Sequence, residues 1–180
     1  MRIALIGFMG CGKSSVGKKL SALLSVPFID LDGEIERRCG ASIARLFSTI
    51  GEDGFRNAEL SALRESLSRQ RDFVLATGGG TVVSAEAVSL LKKNTFCIYL
   101  EASAEHLEKI LSTLDNSSRP LLRSHAVEEL LAARKTLYRE TADVTLALSS
   151  YTDGVPDDTV FESIAMDAAA VVRRHFPDEG

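Results

Sequence analysis

Eight residues near the start of the chain, Gly7 to Ser14, read GFMGCGKS and satisfy the spacing G-x-x-x-x-G-K-[ST]. Glycine at these positions lets the backbone turn tightly and come close to a ligand. Successive N–H groups at the start of a helix then form a nest for anions. The chemistry this suits is phosphate binding by Gly10, Cys11, Gly12, Lys13, Ser14 and Ser15. Lys13 supplies a mobile positive charge for the outer phosphates, and the Ser14 hydroxyl is a ligand for Mg²⁺.

Three further groupings could complete a site. Asp30 and Asp32 in FIDLDGE stand two apart at the end of an apolar run, so an extended backbone points both carboxylates to one side. Arg56 and Glu59 in GFRNAE stand three apart, the spacing of a helical ion pair, with Phe55 turned inward. Gly78, Gly79 and Gly80 follow another apolar run as ATGGG. Three consecutive glycines are entropically unfavourable unless the backbone must approach something closely, and a ligand is the expected neighbour. A guanine-reading Asn-Lys-x-Asp is absent from the chain, which removes the regulatory GTPases from the readings a phosphate loop allows.

Such residues need a scaffold that brings them together. Short β-rich runs at 2–6, 27–30, 73–76, 95–100 and 144–148 alternate with helical patterns at 13–25, 32–69, 84–93, 104–114, 127–141 and 159–176. That alternation predicts an α/β fold: a five-stranded parallel sheet between two helical layers, with ligands gathered at the carboxyl ends of the strands. With 180 residues and no Pro/Gly/Ser-rich linker, the chain reads as one domain over 1–180. Residues 115–126, DNSSRPLLRSHA, read as an exposed mobile connection.

Composition narrows the class further. Apolar residues at 45% and charged residues at 26%, with no bilayer-length apolar run, argue against membrane insertion and against disorder. A net charge of −4 without a basic stripe argues against nucleic acid, so an anionic ligand must be held by individually placed arginines. The start lacks the marks of a signal or transit peptide, and the expected location is the cytoplasm. Cys11, Cys39 and Cys97 share no metal-ligand or disulfide spacing and read as reduced thiols. His106, His125 and His175 read as exposed helix or loop residues.

Taken in order, GFMGCGKSS, DLD, SIARLF…GEDGFRNAE, ATGGG, SSRPLL and RKTLYRETAD resemble the shikimate kinase family over nearly the whole chain. The resemblance implies a P-loop kinase fold with a mobile lid at about 115–126 and a helical substrate-binding segment at about 32–69. It implies transfer of the ATP γ-phosphoryl group to the 3-hydroxyl of shikimate with Mg²⁺, in the route through chorismate to the aromatic amino acids, by a monomer. By the same resemblance, Lys13 and Ser14 serve phosphate and metal, and Asp30 orders the metal's water shell. Asp32 accepts hydrogen bonds from acceptor hydroxyls, while Arg56 and Arg134 clamp the shikimate carboxylate. Gly78 to Gly80 line the ring, Arg119 is the lid arginine at the transferring phosphate, and Pro156 touches adenine. Three features depart from the family pattern: Arg45 replaces an acidic residue, Lys109 stands where arginine is common near the base, and the stretch from Arg119 to Arg134 is short. A gluconate-type kinase and a non-catalytic nucleotide-binding relative are the rival readings. The first has no need of two arginines beside ATGGG, and the second should have lost Lys13, Asp32 or an arginine.

Overall fold

Among the described residues, five parallel strands lie in the order β2-β3-β1-β4-β5, with β1 Arg2–Ile6, β2 Phe28–Asp30, β3 Phe73–Ala76, β4 Phe96–Glu101 and β5 Val144–Ala147. The structure, a computed structural model, describes residues 1–68, 72–113 and 126–177. β1 is central, pairing Ile3 with Val74 of β3 and with Phe96 of β4. Its Ile3, Ala4, Leu5 and Ile6 are wholly buried. A strand covered on both faces has no polar side to show, which is why these runs are continuously apolar rather than alternating.

Among the described residues the helices are α1 Lys13–Leu24, α2 Leu31–Cys39, α3 Ile43–Ser68, α4 Ala85–Asn94, α5 Ala104–Ser112, α6 Val127–Thr141 and α7 Asp158–His175. α1 packs against α7, while α3 and α6 both contact α4, and α4 and α6 reach β4. The expected helical segment 32–69 is two helices. Gly40, at φ 62, ends α2 in the left-handed conformation that a Cβ disfavours, and α3 is bent at Gly51, where φ 70 and ψ −177 interrupt the helix. Because α2 begins at Leu31, Asp30 closes a strand and Asp32 sits in the first helical turn, so the two do not share the face of one extended segment.

The expected lid at 115–126 falls almost wholly outside the described residues, as do Arg119 and His125. Among the described residues no helix is long and apolar enough to cross a membrane.

The histidine expectation needs correction. His106 is buried, at 6% exposure, with Nε2 2.7 Å from the Gly154 carbonyl oxygen. His175 is exposed as expected and packs on the Phe96 ring. Cys11, Cys39 and Cys97 are free thiols.

Candidate active site

The loop between β1 and α1 opens at the carboxyl end of the central strand, beside the place where the chain's progress across the sheet reverses. Gly10 and Gly12 take φ of 84 and 89, which a side chain would strain. The helix starts reveal what the loop is for. Ser84, Ser103 and Asp157 cap α4, α5 and α7 by accepting a backbone N–H. α1 has Gly12 at its cap, no side-chain acceptor and no acidic residue in its first turn. Its leading N–H groups are left for an anion.

Lys13 lies beneath this nest, 8% exposed, with Nζ donating to the carbonyls of Gly7 at 2.9 Å and Phe8 at 2.7 Å. The Cys11 side chain is fully buried under the loop, its Sγ 3.8 Å from Lys13 Nζ, so only the Cys11 backbone can meet a phosphate. Ser14 Oγ donates to Asp30 Oδ2 at 2.7 Å. No cluster of three or more His, Cys, Asp or Glu among the described residues could hold a metal ion. The Ser14–Asp30 pair instead fits an ion that keeps much of its water: a hydroxyl for direct coordination, a carboxylate for a water of the shell, and phosphate oxygens for the rest.

Gly10, Gly12, Lys13, Ser14, Ser15 and Asp30 line a cleft of about 370 Å³ together with Asp32, Thr77, Gly79, Ile110, Pro156 and Phe161. Pro156 is therefore at the cleft. From α5 it is Ile110 that reaches the cleft; Lys109 is exposed and pairs with Glu105 at 2.9 Å. The aromatic edge of Phe161 closes over Gly12, whose Cβ, were one present, would stand 2.5 Å from Phe161 Cε1.

The three glycines after β3 form a wall, and their φ angles are not the reason for them, since none is positive. A Cβ on Gly78 would meet Glu59 Oε1 at 2.6 Å and Asp32 Oδ1 at 3.0 Å. One on Gly79 would meet the Met9 backbone nitrogen at 2.8 Å, and one on Gly80 would fall on the Arg56 guanidinium. The close neighbours are thus the chain's own site residues, a more specific answer than the ligand expected from sequence. The Gly79 carbonyl accepts from Tyr138 Oη and, at 3.4 Å, from Arg134 Nη1.

Arg56 and Glu59 pair at 2.7 Å, and the pair is no surface feature: their side chains are 16% and 3% exposed. Glu59 also accepts from Thr81 Oγ1 at 2.7 Å. Nε of Arg56 is buried without a hydrogen-bond partner. Arg134, 5% exposed, lies 6.0 Å from the Phe8 ring centre, and among the described residues no carboxylate pairs with it. Two guanidinium groups beside one glycine wall therefore have unmet donors. Glu59, Thr81, Tyr138 and Phe161 complete the site; of these the sequence signalled only Glu59, through its spacing from Arg56.

Crowding by protein pushes the Asp32 carboxyl up from 3.8 to about 6, with Glu59, Asp30 and Glu36 adding to the rise and Lys13 opposing it. Its surface is nevertheless open to the cleft, so water there screens much of the associated energy. The folded state holds this proton more tightly than the unfolded chain. The contribution to stability is therefore fullest below pH 3.8 and declines as pH rises toward about 6. In metal-free protein, Asp32→Asn should gain about 1 kcal/mol over the parent at pH 8, the scale left after screening. That gain should fade toward pH 4. Urea unfolding at the two pH values checks this; a variant less stable than the parent at pH 8 would contradict it.

Fold and site together define a P-loop kinase that phosphorylates a small molecule. A family model described as shikimate kinase matches residues 9–167. The chain belongs to the shikimate kinase family and is an ATP-dependent kinase that works with Mg²⁺. It is 41% identical over 154 residues to the shikimate kinase of Francisella tularensis subsp. novicida, covering 83% of this chain and 86% of that one. Among solved structures it is similar to the shikimate kinase of Acinetobacter baumannii in complex with shikimate, with TM-score 0.84 and 36% identity over 97% of this chain and 93% of the other. The Bacteroides thetaiotaomicron shikimate kinase gives TM-score 0.83 and 28% identity over 96% of this chain and 98% of that one.

Proposed function

We propose that the chain transfers the γ-phosphoryl group of ATP to the 3-hydroxyl of shikimate, forming shikimate 3-phosphate and ADP on the route to chorismate. The observation that carries the choice of acceptor is the pair of guanidinium groups with unmet donors, Arg56 and Arg134, beside the glycine wall. A planar carboxylate matches guanidinium forks. The structural relative bound to shikimate supports the same acceptor.

The roles divide by position. The N–H groups at the start of α1 hold phosphate oxygens, and Lys13 exchanges its loop carbonyls for the outer phosphates as charge moves toward the leaving group. Ser14 would hold Mg²⁺ and Asp30 a water of its shell; the ion supplies charge neutralisation between the phosphates. Asp32 accepts hydrogen bonds from the acceptor hydroxyls, and its carboxylate is available for the proton that the 3-hydroxyl loses as its oxygen bonds to phosphorus. Glu59 fixes the rotamer of Arg56, and Pro156 borders adenine. Arg119, through its place in SSRPLL, belongs at the transferring phosphate as the lid arginine, with residues 115–126 as the lid that excludes water. The enzyme works as a cytoplasmic monomer of one domain.

A coupled ADP-release assay with Mg²⁺ and ATP against shikimate, gluconate and quinate tests this reading. Turnover should be confined to shikimate. Robust phosphorylation of gluconate with none of shikimate would overturn it.

A further inference from the structure

His106 is a buried titratable side chain that the reaction does not use. It sits on α5, and its Nε2 lies 2.7 Å from the Gly154 carbonyl oxygen, 48 residues away. A carbonyl only accepts, so the proton must be on Nε2. The segment it reaches has no regular structure between Thr152 and Asp157. Within that segment, Gly154 N donates to Thr152 Oγ1 at 3.0 Å, and Asp157 caps the helix that follows. Thr152 N donates to the Leu148 carbonyl at 3.2 Å in the turn just before, so among the described residues the bond to His106 is the segment's one hydrogen bond to an element that does not adjoin it in sequence.

Both ends of this bond border the nucleotide cleft. Ile110, one turn beyond His106 on α5, lines it, and so do Val155 and Pro156, which directly follow Gly154. Val155 is 47% exposed and Gly154 is exposed, while Pro156 is buried. A flat base between Ile110 and Pro156 needs the distance between α5 and this loop to be set.

We propose that His106 is a positioning residue for the nucleotide base, holding the loop Gly154–Pro156 at a fixed separation from α5. The inference rests on the cleft being the ATP site. His106→Leu keeps the bulk and removes the donor, whereas His106→Gln offers an amide N–H near the place of Nε2. ADP and shikimate are titrated separately into each variant and the parent by calorimetry. For the Leu variant, ADP affinity should fall about three- to tenfold, the worth of one hydrogen bond. Shikimate affinity should stay within about twofold, since a group acting only on the base does not reach the carboxylate clamp. The Gln variant should recover most of the ADP affinity.

Unchanged ADP affinity in the Leu variant overturns the proposal. So does a parallel loss of both ligands, the mark of a general folding defect, or a Gln variant as weak as Leu. If the Leu variant does not fold, ¹⁵N shifts of the parent's imidazole decide. A protonated Nε2 in the neutral ring, with its signal moving on ADP addition, supports the proposal, and an unprotonated Nε2 or one indifferent to ADP refutes it. A parent that binds no ADP would instead overturn the nucleotide reading of the cleft.

Discussion

Lys13→Met is expected to fold and to bind shikimate while losing about 10²- to 10³-fold in kcat, the scale of one removed electrostatic donor at a reacting centre. The ammonium is nearly enclosed and sits on the carbonyls of Gly7 and Phe8. It is held in place before any nucleotide arrives, so little reorganisation separates this resting position from the phosphates. Methionine matches the length of the lysine stem and fills the same space. The loss is therefore one of charge rather than of packing. The two carbonyls also lose their donor, and some fall in melting temperature should accompany the kinetic effect. Steady-state rates with circular dichroism separate the two. A variant with nearly normal kcat would remove Lys13 from the mechanism.

The second large effect concerns the acceptor. Arg56→Ala and Arg134→Ala should each weaken shikimate binding by about 2 to 5 kcal/mol, the penalty for leaving a confined charge partly unpaired. ADP binding should barely move. Their effects on folding should differ, because the two arginines are held differently. Removing Arg56 strands Glu59, whose side chain is 3% exposed; among the described residues only Thr81 Oγ1 then remains as a side-chain donor to it. Breaking a buried pair from one side costs about 3 kcal/mol or more. Arg134 has no carboxylate to strand among the described residues, and its removal leaves a gap but no orphan charge. Calorimetry should thus report two similar losses in shikimate affinity, and urea unfolding a much larger destabilisation for Arg56→Ala. Equal destabilisation, or shikimate bound at parental strength by both, would refute the clamp.

The part of the site carried by contiguous residues was readable from the sequence. The phosphate loop is local, since its glycines, lysine and serine act within one strand-to-helix turn. The alternation of apolar runs and amphipathic stretches was enough to predict a parallel sheet of five strands. What escaped depended on contacts between distant segments. His106 looks like any polar residue in AEHLEK until the loop at Gly154 is folded against it. Tyr138 shows nothing in LYRE that would direct its hydroxyl to the carbonyl of Gly79. The break after α2 and the bend within α3 fall at two glycines, Gly40 and Gly51, whose positive φ the amphipathic pattern on either side does not announce. The resemblance supplied roles for Arg56 and Arg134, yet it did not indicate that one would be paired in the interior and the other, among the described residues, left without a carboxylate.

The run Gly78-Gly79-Gly80 has a bearing on inhibitor resistance. Each position abuts a different part of the machinery: the carboxylates Glu59 and Asp32, the Met9 backbone, and the Arg56 guanidinium. The commonest quiet escape from a bound drug is a small added side chain that obstructs the drug and leaves the enzyme working. At Gly79 even a methyl group must displace the backbone of the phosphate loop, which has no rotamer to yield. At Gly78 and Gly80 it would push side chains that Glu59, Thr81 and Arg56 lock to one another. A compound pressed flat against this wall would leave the enzyme few single substitutions by which to evade it without disabling itself.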